Sequence, residues 1–174
     1  MDTYYPLAVG NSWTYKMADG STFTNRVTAN EGDEFTMTNS LQPDPQHIRK
    51  EGATYLSDHF EPGNFQTLVR DDLSTGDTWD IRYTANTIDT VLTMTIKGTG
   101  GSKEVEGTTY NNVIELEGVM AMTMNGNAIP SNYVVQYFYA AGVGLILTTS
   151  SMGDDMPLIS SELHLGEQSG RSLH

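Results

Sequence analysis

The feature that most constrains this chain is the recurrence of short segments rich in Thr, Val, Tyr, Phe and Ile, each set between clusters of Gly, Asn, Asp and Pro. β-Branched and aromatic side chains suit a pleated, half-buried surface, and no long window places apolar residues at the 3.6-residue spacing of a helix. The pattern predicts an all-β chain with little helix. Strands are expected near Ser12 to Met17, Thr22 to Ala29, Glu34 to Ser40, His47 to Lys50, Ala53 to Ser57, Phe65 to Arg70 and Thr78 to Thr84. Further strands are expected near Thr87 to Lys97, Lys103 to Val105, Asn112 to Met124, Tyr133 to Ala140, Leu145 to Ser150 and Leu158 to Leu165. Asp19-Gly20, Gly32, Glu106-Gly107 and Asn125-Gly126 tolerate positive φ, so they read as hairpin turns joining antiparallel neighbours. Pro43 and Pro45 cannot donate to a ladder and mark a loop or a sheet-edge crossing.

Alternation tells which face of a strand is dry. Leu92, Met94 and Ile96 share one face while Thr93, Thr95 and Lys97 share the other. Ile114 and Leu116 alternate with Glu115 and Glu117, and Met120, Met122 and Met124 continue the apolar face beyond Gly118, which reads as a bulge or bend. Tyr133, Val135, Tyr137 and Tyr139 form a second stripe at strand period. About a dozen such strands fit a strongly curved antiparallel sheet, as a half-barrel, a closed barrel or a two-sheet sandwich. The expected organisation is one β domain over residues 1–165, followed by a polar, flexible tail over 166–174.

Charge narrows the partners. Nine Lys and Arg stand against 22 Asp and Glu, a net −13, whereas a nucleic-acid binder needs clustered cations to displace counterions. Without Cys there is no disulfide framework and no thiolate chemistry. No apolar run approaches the ~18 residues of a membrane-spanning helix. The start Met1-Asp2-Thr3-Tyr4-Tyr5 is not a signal peptide, so for an exported protein the export signal is expected to have been removed. His47, His59, His164 and His174 are too scattered for a metal site, and no metal or other cofactor is expected. Gly153-Asp154-Asp155 and Asn125-Gly126-Asn127 offer hard oxygen ligands suited at most to weak Ca²⁺ binding. Adjacent acids such as Asp71-Asp72 point to opposite sides of an extended chain and do not pair as the acid and base of a glycosidase. No Gly-x-Ser-x-Gly elbow supports a serine hydrolase.

Four blocks carry a resemblance: Tyr5-Pro6-Leu7-Ala8-Val9-Gly10-Asn11-Ser12-Trp13-Thr14-Tyr15, Gly76-Asp77-Thr78-Trp79, Val105 through Val113, and Tyr137 through Ile146. The chain resembles uncharacterised exported or lipid-anchored bacterial domains of Bacteroidetes type that open with Pro-Leu-x-x-Gly-x-x-Trp-x-Tyr. The resemblance implies a curved antiparallel sheet similar to the lipoprotein-carrier half-barrels of the periplasm, which hold an acyl chain. It also implies a periplasmic, outer-membrane-associated or secreted location, and it brings no catalytic residue. The lipobox Cys of a lipid-anchored member is absent from this sequence.

The expected function is that of a non-enzymatic exported domain binding a lipid or other apolar or amphipathic small molecule within a curved sheet. Met120, Met122 and Met124, with Leu92, Met94 and Ile96, are the expected ligand-binding residues, because unbranched, polarizable Met adapts to irregular apolar partners. The same stripes also suit ordinary core. An alternative is a structural module that docks to an envelope protein, and a third is a carbohydrate-active enzyme using dispersed carboxylates.

Overall fold

The computed structural model describes residues 3–164, of which 64% lie in strands and none in a helix. The tail over 166–174 lies outside the described residues. Thirteen strands follow in order: β1 (Ser12–Lys16), β2 (Thr22–Glu31), β3 (Glu34–Asn39), β4 (Gln46–Glu51), β5 (Thr54–Ser57), β6 (Gln66–Arg70), β7 (Thr78–Ala85), β8 (Ile88–Val105), β9 (Thr108–Met124), β10 (Asn127–Ile129), β11 (Val134–Ala140), β12 (Gly144–Ser150) and β13 (Met156–Glu162). They form one antiparallel sheet in the order β6-β5-β4-β3-β2-β1-β13-β12-β11-β9-β8-β7, with β10 as a short hairpin partner of β9. The sheet curls until β6 and β7, its two edges, approach each other, giving a nearly closed barrel.

Most strands fall where their side chains place them, and the hairpins where the turns do. Glu106-Gly107 and Asn125-Gly126 both have the paired positive φ of a turn that matches strand twist. Asn86-Thr87 does the same, at φ 52° and 65°, although Thr87 is β-branched and its turn is not legible as such. The segments expected at Thr87 to Lys97 and Lys103 to Val105 are one strand, β8, of 18 residues. The register between β8 and β9 breaks at three points from Ile96 to Ser102. Beyond these bulges the hairpin bends over the outside of the barrel. Lys103 Nζ lies 4.6 Å from the centre of the outward-facing Phe138 ring, Val105 is buried, and Lys16 Nζ meets Glu106 Oε1 at 2.9 Å.

Gly118 is not a bulge: pairing of β9 with β8 runs unbroken from Glu117 to Met124. Its requirement is space. A Cβ there would stand 2.9 Å from Met94 Sδ and 3.0 Å from Leu92 Cδ1.

The inner face is filled mainly by aliphatic and aromatic side chains, with Trp13, Val27, Met37, Ile48, Tyr55, Val69, Leu92, Met94 and Leu116 all at most 1% exposed. One end of the barrel is plugged by the segment leading into β1. There Tyr4 N donates to Asp71 Oδ1 (2.9 Å), Gly142 N donates to Thr3 O (2.7 Å), and Thr3 Oγ1 bonds the Tyr55 hydroxyl. Tyr55 Oη and Lys50 Nζ both donate to Asp71 Oδ2, at 2.9 and 3.2 Å, so the buried carboxylate is compensated. The plug sends the Tyr5 ring into the interior, 5.6 Å from Trp13, 5.9 Å from Tyr55 and 6.2 Å from Tyr139 between centroids.

Gly118→Ala is expected to lower unfolding free energy by about 1–3 kcal/mol, the usual cost of overpacking. Gly98→Ala, where an added Cβ meets nothing within 4 Å, should change it by less than about 0.5 kcal/mol. Urea denaturation of the two variants checks the contrast, and equal losses would contradict it.

Candidate ligand-binding site

The end opposite the plug carries the loops that follow β1, β3, β5, β7 and β13's predecessor β12, and here the interior is not completely filled. A hollow of about 100 Å³ is walled by Tyr137, Tyr139, Ile81, Met94, Leu68 and Leu145, and Tyr5 also borders it. Asn25, Gln46, His59 and Phe60 complete the lining.

Each wall has a local cause. Strand alternation turns Tyr137 and Tyr139 inward from β11, facing Leu116 and Ile114 of β9 in register. Burial raises the pKa of Tyr5, Tyr137 and Tyr139, so all three are neutral phenols at physiological pH. Tyr5 Oη points to Met37 Sδ at 3.7 Å. Asn25 sits on the inward side of β2 with Phe23 and Val27, and its Oδ1 accepts from Asn39 Nδ2 at 2.8 Å. In the loop after β5, Phe60 stacks on Tyr83 (5.2 Å, 27° between planes) and packs edge-on against His59. Desolvation among these rings lowers the His59 pKa, with the Asp58 charge opposing, so His59 is uncharged at neutral pH.

Asp58 anchors that loop. Its Oδ1 accepts from His47 N at 2.7 Å, and its Oδ2 faces His47 Nδ1 at 3.0 Å and Gly63 N at 3.3 Å. Burial opposes its charge, yet these hydrogen bonds to the ionised form outweigh burial and its pKa falls below the ordinary carboxylate range.

The six residues singled out from sequence share the inner face. The register sets Leu92 opposite Met120 and Met94 opposite Gly118, with Ile96 opposite Leu116 and Thr90 opposite Met122. Leu92, Met94 and Ile96 are each 1% exposed, Met120 and Met122 are half-buried, and Met124 is 38% exposed at the rim. Of the six, Met94 borders the hollow. The sequence reading missed Tyr5, Asn25, Gln46, His59 and Phe60. Asn25 had a signal, since it falls on the same parity as Phe23 and Val27; Tyr5 had none.

At about 100 Å³ the hollow is smaller than the 150 Å³ cavity that holds benzene and well below the roughly 300–1,000 Å³ of sites for larger ligands. It has room for the end of an apolar chain. Among the described residues no group of three His, Cys, Asp or Glu is gathered as a metal ligand set. The carboxylates with displaced pKa, Asp19, Asp58 and Asp72, are all displaced downward, the direction opposite to that of a general acid.

No family model matches the chain, and no curated protein matches it. Two solved structures do resemble it. One, named "putative exported protein with YmcC-like fold", from Bacteroides fragilis, aligns with a TM-score of 0.59 at 11% identity over 93% of this chain and 100% of that one. The other, named "putative lipoprotein", from Parabacteroides distasonis, aligns with a TM-score of 0.61 at 12% identity over 92% of this chain and 99% of that one. The likeness is one of fold. Those names are of the same kind as the exported and lipoprotein-like domains that the sequence resembles. No helix among the described residues is long and apolar enough to cross a membrane.

The Asp58 cluster makes stability depend on acid. A carboxylate whose folded pKa is depressed adds stability above its unfolded value, about 3.9, and that stability is lost as pH falls through the folded pKa. Urea midpoints between pH 6 and 3 should therefore fall more steeply for the parent than for Asp58→Asn. Equal slopes would contradict this role.

Proposed function

We propose that the chain is a non-enzymatic exported barrel that binds an apolar or amphipathic small molecule at its unplugged end. The observation that carries this reading is the unfilled hollow, placed where neutral phenols, amides and an uncharged imidazole meet an apolar wall. Sites of this kind fix orientation with a few polar groups and derive affinity from apolar burial. In this reading the ligand's apolar end enters between Met94 and Tyr137, and its remaining length runs along Met120, Met122 and Met124 toward the rim. Polar atoms are then met by Asn25, Gln46 and His59. Among the described residues no charged side chain lines the hollow, which favours a neutral or weakly polar ligand end over an ionised one.

Docking to an envelope protein is the second reading, favoured by an exposed valine on the outer face. Val119, 48% exposed, lies in register between Thr93 and Val134 there. The two readings use opposite faces of β9 and so separate cleanly.

A fluorescent fatty-acid probe should bind the parent saturably. Met122→Asp should weaken that binding at least tenfold, because an unpaired charge on an apolar wall costs several kcal/mol. Val119→Asp, on the outer face, should leave it within about twofold. Loss of binding in Val119→Asp with binding intact in a folded Met122→Asp would overturn the interior site.

A further inference from the structure

The barrel is joined by backbone ladders between every pair of neighbouring strands except β6 and β7. Among the described residues, four bonds involving side chains join that seam instead. Trp79 Nε1 donates to Thr67 O (3.0 Å), Gln66 Oε1 accepts from Arg82 N (2.9 Å), Asn64 Nδ2 donates to Arg82 O (3.0 Å), and Glu61 Oε1 accepts from Thr84 N (3.0 Å). Glu61, Asn64 and Gln66 also bond one another, Asn64 Nδ2 to Glu61 Oε1 at 3.0 Å and Gln66 Nε2 to Asn64 Oδ1 at 2.8 Å, so they act as one clip on the edge of β7.

The seam lies beside the hollow. Leu68 of β6 and Ile81 of β7 both line the interior cavity, while Thr67 and Trp79 line a separate pocket of about 350 Å³ that also includes Arg70 and Asp72. Arg70 and Asp72 are exposed and hold each other through two bonds, at 2.9 and 3.0 Å, so the side of the seam they mark is open to water. A polar pocket and an apolar one thus flank the same pair of edge strands.

A closed ladder cannot widen without losing backbone bonds, whereas a joint made by side chains can part and re-form. We propose that the β6–β7 seam is a lateral gate. Parting of the Trp79–Thr67 bond and the clip lets the apolar portion of a ligand pass between the strands and lets the barrel perimeter grow. A hollow of about 100 Å³ can then accommodate a chain longer than its resting volume allows. The bound ligand favours the widened state because only that state buries its full length. This gate rests on the interior-binding reading above.

Two measurements test it. In amide hydrogen exchange of the ligand-free protein, Arg82 and Thr84 amides should exchange at least tenfold faster than β8 amides bonded to β9. Trp79→Phe, which keeps an aromatic ring and removes the donor, and Gln66→Ala, which removes the acceptor for Arg82 N, should raise the seam rates further and leave the β8–β9 rates unchanged. In stopped-flow mixing with the fluorescent fatty acid, both variants should show association at least threefold faster than the parent. Seam amides as slow as those of β8–β9 would overturn the gate. Saturable probe binding with parental association rates in both variants would overturn the gate and leave the binding reading standing. Absence of saturable binding to the parent would overturn both.

Discussion

The pairing of the first strand with the last determines the rest of the structure. β1 runs antiparallel to β13, with Ser12 opposite Glu162 and Trp13 opposite Ser161, and on its other side it pairs with β2. Without it, β1–β6 and β7–β13 would be two open sheets, each with additional exposed edges that invite pairing with other chains. The joint is reinforced by side chains that reach past β13. Trp13 Nε1 donates to Val143 O at 2.6 Å and Tyr15 Oη to Leu145 O at 2.8 Å. Gly144 permits the first of these, since a Cβ at its φ of +112° would meet Trp13 Nε1 at 3.0 Å. Because β1 is fixed there, the segment before it must cross the barrel end, and that crossing delivers Tyr5 to the interior.

The interior is therefore asymmetric. Toward the plug, rings and aliphatic side chains fill the interior, and a buried carboxylate, Asp71, is held by Lys50, Tyr55 and the Tyr4 amide. Toward the other end the lining mixes aromatic rings with the amides of Asn25, which bonds Asn39, and Gln46, and the space between them stays open. The opening and the side-chain seam both follow from the topology. A sheet that closes through its first and last strands places its edges at β6 and β7, in the middle of the chain, where a loop rich in polar side chains lies at hand to bridge them.

Much of this was legible in the sequence because period-two patterning and turn residues act locally. The face shared by Leu92, Met94, Ile96 and the Met series, and the hairpins at Glu106-Gly107 and Asn125-Gly126, needed no knowledge of distant contacts. What was not legible depends on residues far apart in the chain. Tyr5 lies before the first strand with no periodicity around it, and its neighbours Trp13, Tyr55 and Tyr139 come from three strands. Gly118 looked like a bend because glycine weakens a strand, but its cause lies across the ladder in the volumes of Leu92 and Met94. β10, three residues long, is too short for its pattern to show, and only pairing with β9 defines it. The fold-back of the β8–β9 hairpin likewise needs Phe138, on another strand, as the surface it covers.

The central claim is that an apolar ligand occupies the inner face at the unplugged end. It is tested most directly by methyl resonances of selectively labelled methionines during titration with the fatty-acid probe. The account predicts that Met94, Met120 and Met122 shift or broaden saturably while Met152, 71% exposed on the loop after β12, stays unperturbed. Perturbation confined to Met152, or no saturable change at the three inner residues while the probe binds, would contradict it.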